Sequence, residues 1–267
     1  MTRQYQLLPY RFKRMGWIMN RISIFRLLAL STAAVVSASC ERATAGAPPA
    51  PAHQYIVGID ISGSRTSAQL QEERQVVDGL VGRMTAGDRI ILIETYRAGI
   101  DSAGQWQDSI PAPREPGVMT GRDKRNVEQF RTVASAMAAT FFDADASRKV
   151  MTTDLFHTLS RAADYAKAAN GRRTTVVLLS DMLQSTSDVD FERAGGIHTA
   201  KWTDALKAEG RLPDLHNVCV FVIGADASTR TGAKVRDFWR HWFDATGATF
   251  RPENYRNMVA DPAEIGC

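Results

Sequence analysis

A single α/β domain with a mostly parallel sheet is the fold class predicted by three features of the chain: short apolar runs, longer segments of helical periodicity between them, and polar residues closing the runs. Continuous rather than alternating apolar runs mark strands buried on both faces, as in a parallel sheet covered by helices. With 267 residues and 44% hydrophobic content, the chain has material for one sizeable core plus short extras.

Ahead of the domain, residues 1–39 hold six basic residues (Arg3, Arg11, Lys13, Arg14, Arg21, Arg26) and no acid, with an apolar stretch from Leu27 to Val36 and then Ser37-Ala38-Ser39. That is the order of a secretory signal, and the apolar stretch is too short to span a bilayer. Met19 offers an alternative start, from which the leader has ordinary length. Ser37-Ala38-Ser39-Cys40 resembles the cleavage box of bacterial lipoproteins, which implies lipid attachment at Cys40; an ordinary signal cut near the same point is the alternative. Residues 40–53, with Ala47-Pro48-Pro49-Ala50-Pro51, read as an extended tether. The formal charge of +4 resides in the leader, because without its six cations 27 basic residues face 29 acidic ones, a balance of −2. A nucleic-acid partner thereby loses its support.

The domain proper is expected over 54–267. Its first strand is the run 55–61, followed by a helix with Leu70, Val77, Leu80, Val81 and Met84 on one face and closed by Gly87-Asp88. A second strand is expected at 89–96. An insertion at 98–122, with Pro111, Pro113 and Pro116, includes a short edge strand at 105–110. Val127, Phe130, Ala134, Met137 and Phe141 mark a second helix. Leu155, Leu159, Ala162, Ala163 and Ala166 mark a third, for which Thr152 or Thr153 is a natural N-cap. The run 174–180 reads as a buried parallel strand ending at Asp181.

A second insertion at 184–213, carrying Gly195-Gly196, includes a helix at 199–208. A strand at 218–223, a helix with Val235, Phe238, Trp239 and Trp242 ending near Gly247, and a short strand at 248–250 complete the order. At helical spacing Phe238, Trp239, Trp242 and Phe243 are core rather than a ligand platform. Cys219 reads as a buried inert thiol, with a bridge to Cys267 as the alternative, and no cysteine spacing resembles a zinc site.

The chemistry concentrates at strand ends, where open α/β sheets bind ligands. Asp60-Ile61-Ser62-Gly63-Ser64 follows the first strand, and its carboxylate and two hydroxyls at every second position supply the oxygen atoms that hard cations take. Asp181 closes a different strand, and Thr152-Thr153-Asp154 opens a helix.

Together these residues resemble the von Willebrand factor A (vWA) domain family with its metal-ion-dependent adhesion site. Asp60, Ser62 and Ser64 match that family's Asp-x-Ser-x-Ser, Thr153 its threonine before a later helix, and Asp181 its aspartate after a central strand; the resemblance covers residues 55–250. It implies a Rossmann-like three-layer α/β/α domain binding Mg2+, or another divalent ion such as Mn2+ or Ca2+. Ser62, Ser64 and Thr153 would contact the ion through hydroxyl oxygens, and Asp60 and Asp181 would act through bound water and by charge. Such an ion has room for a further oxygen, typically a carboxylate supplied by a protein partner. Two positions depart from the pattern. Met151-Thr152 stands where glycines are usual, leaving Thr152 as a substitute for Thr153, and Met182 stands where a Gly usually follows the last Asp.

Other chemistries match less of the chain. A haloacid-dehalogenase-type phosphatase needs a second Asp where Ser62 stands, actin-like ATPases continue with Gly at that place, and no Gly-x-x-x-x-Gly-Lys loop is present. Ser62 and Ser64 lack a nucleophile elbow. His157 is expected on a solvated helix face, His198, His216 and His241 have no metal-ligand spacing, and Arg172-Arg173 reads as a solvated turn. The expectation is a non-enzymatic protein-binding module, exported and tethered to a bacterial envelope membrane through Cys40. The alternatives are a magnesium-dependent phosphoryl-transfer enzyme and a metal-independent scaffold of the same fold.

Overall fold

The structure, a computed structural model, describes residues 51–95, 104–115, 117–142, 152–187, 189–193 and 200–267. The expected signal at 1–39, Cys40, most of the tether, Met151, Gly195-Gly196 and His198 lie outside the described residues. Six strands form one sheet: β1 (His53–Ile59), β2 (Arg89–Glu94), β3 (Gln105–Ser109), β4 (Arg173–Leu179), β5 (Val218–Ile223) and β6 (Tyr255–Arg256). Their order across the sheet is β3-β2-β1-β4-β5-β6. All neighbours are parallel except β2 and β3. The chain returns from Glu94 to Gln105 with too few residues for a crossover helix, so β3 pairs antiparallel as a polar edge.

Residues of alternate parity fill the two faces. Ile56, Ile91, Val176, Leu178, Val220 and Val222 pack against α3 (Leu155–Lys167) and α5 (Arg230–Thr246), with Trp202 of α4 (Ala200–Ala208) against the same cluster. Val57, Ile59, Ile90, Leu92, Val177 and Phe221 face α1 (Ser67–Arg83) and α2 (Gly121–Phe142). The result is a three-layer α/β/α architecture. Trp239, Trp242 and Phe243 are fully buried, as helical spacing required of core residues.

The element order is the expected one, with local corrections. β1 begins at His53, one residue inside the expected tether, because its backbone N–H donates to Asp88 Oδ1 at 2.7 Å. The expected strand at 248–250 is reduced to a single bridge between Thr249 and Cys219, and the regular edge strand is β6. Pro252, which has no N–H to donate, starts a 3-10 turn (Pro252–Asn254) that separates the two. Neither Thr152 nor Thr153 caps α3, since Asp154 does so by accepting from His157 N at 3.1 Å.

Cys219 is not a free thiol. It is bonded to Cys267, 48 positions further along the sequence, with 5.7 Å between their Cα atoms. The segment after α5 runs back along the β5 edge, held by Asn254 Nδ2 donating to Val220 O at 3.0 Å, and this course returns the last residue to the β5 edge.

Candidate metal centre

Because β1 and β4 are direct neighbours, the residues that leave their carboxyl ends emerge side by side. The Asp60 amide still donates to Leu179 O at 2.9 Å, so its side chain lies beside the turn that carries Asp181. Helix α3 reaches the same end by packing onto β1 at Gly58. A Cβ there would come within 3.0 Å of Thr158 Cγ2 and Leu178 Cδ2, so a larger residue would push α3 and its preceding loop outward.

The five residues singled out in the sequence come together. Asp60 Oδ1 accepts from the Ser62 amide at 2.9 Å and lies 3.4 Å from Thr153 Oγ1. Ser62 Oγ and Ser64 Oγ are 3.0 Å apart, and Ser64 Oγ donates to Asp181 Oδ2 at 2.7 Å. Asp60 and Thr153 are buried, Asp181 is half-buried and Ser64 is exposed, so the cluster opens to solvent on one side. Of the two adjacent threonines, Thr153 reaches Asp60. Capping by Asp154 leaves its hydroxyl available for that contact.

Ser180 and Gln184, which sequence reasoning missed, hold the cluster together with Met182. Ser180, fully buried, donates from Oγ to Asp60 Oδ2 at 2.7 Å and accepts from the Met182 amide at 2.9 Å. Gln184, also fully buried, accepts from the Leu155 amide at 2.8 Å and donates to Asp154 Oδ1 at 3.3 Å. It joins the turn after β4 to the loop before α3, alongside paired backbone bonds between Thr153 and Ser185 at 3.2 and 3.0 Å. Met182 adopts the left-handed region with φ 65°, which explains why glycine suits this place. Its buried side chain in the core and the bond from Trp239 Nε1 to its carbonyl at 2.9 Å hold the methionine there. Only the polar character of Ser180 and Gln184 beside an apolar run hinted at their roles.

The electrostatics define what the cluster can accept. Burial, and then the neighbouring Asp181 carboxylate, raise the Asp60 pKa above the ordinary carboxylate value, against the lowering effect of its Ser180 and Ser62 hydrogen bonds. Among the described residues neither Asp60 nor Asp181 forms an ion pair. Arg65, one residue beyond Ser64, turns away into a buried pair with Glu73 and donates to Gly224 O at 3.1 Å. Gly224, at φ 98°, leaves space for this pair, since a Cβ there would collide with both side chains. Two carboxylates without a cationic partner, beside three hydroxyls, suit a hard divalent ion. The described residues hold no cluster of three His, Cys, Asp or Glu, so a softer nitrogen or sulfur site is not formed there.

The site thus consists of hydroxyls and carboxylates gathered at the carboxyl ends of β1 and β4, the two central strands of a doubly wound sheet. No family model and no curated protein sequence matches the chain. Among solved structures it is similar to an aerotolerance-related membrane protein from Bacteroides fragilis bearing multiple mutations to serines, at 12% identity and TM-score 0.40, over 79% of this chain and 92% of that one. It is similar to the pilus adhesin SpaC from Lactobacillus rhamnosus GG in its open conformation, at 14% identity and TM-score 0.46, over 81% of this chain and 29% of the adhesin. Manganese-loaded TRAP from Plasmodium vivax is similar at 16% identity and TM-score 0.36, over 80% of this chain and 70% of that one. These likenesses concern the course of the backbone.

Proposed function

We propose that the protein is a divalent-cation-dependent protein-binding module, exported and held at a bacterial envelope membrane by lipid on Cys40. One observation carries the reading: Asp60 and Asp181, with no ion pair among the described residues, share a solvent-open site with Ser62, Ser64 and Thr153 at the carboxyl ends of β1 and β4. Ser62, Ser64 and Thr153 would hold Mg2+ or Mn2+ through neutral oxygens, with Asp60 and Asp181 supplying charge. A bound ion of this kind supplies Lewis acidity toward one more oxygen, which fits a carboxylate of a partner protein.

Calorimetric titration with Mg2+ and with Mn2+ tests the site. Wild type should bind, while Asp60→Asn, Asp181→Ala and Ser64→Ala should bind more weakly; equal affinity across the four proteins would overturn it. Partner capture from envelope extracts should disappear in chelator. Mass spectrometry of the mature N-terminus tests the tether, and a free terminus at any residue other than Cys40 would refute lipidation.

One observation favours a second reading, a scaffold that needs no metal. The Ser62–Ser64–Asp181 chain satisfies its own hydrogen bonds at 3.0 and 2.7 Å. A partner retained equally with and without chelator would support that reading.

A further inference from the structure

A cavity of about 270 Å³ lies beside α5, lined by Ala227, Arg236, Arg240, Phe250, Pro252 and Tyr255. Arg236 and Arg240 are one helical turn apart and so share a face of α5. Among the described residues, Asp237 is the carboxylate in contact with both, at 3.2 and 3.8 Å, so there two guanidinium groups share one negative charge. Opposite them Phe250 and Tyr255 meet edge to face with centroids 6.4 Å apart, and Pro252 extends this apolar wall.

Tyr255 makes the wall more than apolar. The residue is buried, and its hydroxyl, closed to solvent, has no hydrogen-bond partner among the described residues. Burial first, and then the Asp181 carboxylate, push its pKa upward, so the phenol stays a donor at neutral pH.

The cavity also lies toward the same end of the sheet as the carboxylate and hydroxyl cluster. Tyr255 pairs with Val222 of β5, whose next residue, Ile223, pairs with Leu179, two positions before Asp181. Two strand spacings separate β6 from β4, roughly 10 Å, a span that about three extended residues cover.

We propose that this cavity is a second subsite for the partner: it takes an acidic peptide segment whose carboxylate pairs with Arg236 and Arg240 while an adjacent aromatic side chain lies against Phe250, Pro252 and Tyr255. Two arginines on one side and an apolar wall on the other complement such a segment in both charge and surface. The link to the cation site rests on the proposed function, whereas binding in the cavity itself does not.

The test uses the full-length protein in chelator-containing buffer with acetyl-Glu-Phe-amide as probe, followed by amide chemical shifts. Shifts are expected at Ala227, Arg236, Phe250 and Tyr255. Affinity should fall roughly fivefold for acetyl-Gln-Phe-amide, and equally for the Arg236→Gln/Arg240→Gln protein, whose exposed substitutions leave the fold intact. Asp60→Asn should bind the probe like wild type, so the subsite is read whether or not the cation site exists. A longer peptide with a second Glu about three residues away should bind more tightly in Mg2+ than in chelator, in wild type but not in Asp60→Asn. Equal affinity for the neutral dipeptide, or for the double variant, would overturn the proposal. So would displacement of the probe by inorganic phosphate at equal concentration, which would mark a simple anion site.

Discussion

Trp239 donates its indole N–H to the carbonyl of Met182 at 2.9 Å, fastening the core of α5 to the turn that presents Asp181. The bond holds a non-glycine residue in the left-handed region directly after that aspartate. Trp239→Phe should therefore destabilise the domain by roughly 2–4 kcal/mol, through an unpaired buried carbonyl and a cavity, and should also weaken divalent-ion binding. Trp242→Phe is the control, because the Trp242 indole nitrogen is buried with no hydrogen-bond partner among the described residues. It should cost less and leave ion affinity unchanged, as measured by urea denaturation and calorimetry.

Asp60 sets opposite requirements for stability and binding. Its folded pKa is raised by burial and by Asp181, so between the unfolded and folded values the native state holds a proton that the unfolded chain has lost. Without metal, stability should fall as pH rises through that window and be greatest below it. Ion binding needs the carboxylate and should weaken as pH falls through the same raised value. Asp60→Asn should remove this contribution to the pH dependence and stabilise the metal-free domain above the window while weakening ion binding. Melting curves in chelator at several pH values, with magnesium titrations alongside, check both signs.

Gln184 joins the two loops that supply Thr153 and Asp181, although neither of its amide atoms belongs to the proposed ion-binding set. Gln184→Leu keeps the volume but leaves the Leu155 amide without its acceptor, a loss of about 1–3 kcal/mol. The ion affinity should drop roughly tenfold, as for other residues that orient metal-binding groups without touching the ion. Unchanged affinity in calorimetry would limit Gln184 to a structural role.

The bond between Cys219 and Cys267 closes a long stretch of chain that includes α5 and β6. Cys267→Ser should lower unfolding free energy by about 2–4 kcal/mol, chiefly through the freer unfolded chain. Melting in reducing and non-reducing buffer reads the effect. A mass increase of about 2 Da on reduction confirms the bond.

The sheet and its helices were legible in the sequence because each depends on local periodicity. β5 and the later parts of β1 and β4, from Ile56 and Val176 onward, are apolar since both faces are covered, and the α5 stripe of Val235, Phe238, Trp239 and Trp242 is a helical one. Asp60 and Asp181 were visible because each directly follows such a run. What sequence did not reveal was how distant segments use one another's polar atoms. Asp154 rather than a threonine caps α3, Ser180 and Gln184 fix the cluster, Met182 tolerates a glycine's conformation, and Cys219 finds Cys267.

Local pattern by itself marked β1 to β5, the helices and the candidate oxygen donors, but not the short edge strand β6, since burial with a period of 2 or 3.6 is written in the order of side chains only over longer elements. Tertiary structure alone decided that β1 and β4 lie side by side, that Arg65 turns to Glu73 instead of the aspartates, and that the chain end returns to β5. The first and last of these join residues far apart in the chain, the buried Arg65–Glu73 pair depends on the space left by distant Gly224, and the free energy of each depends on the packing that surrounds it.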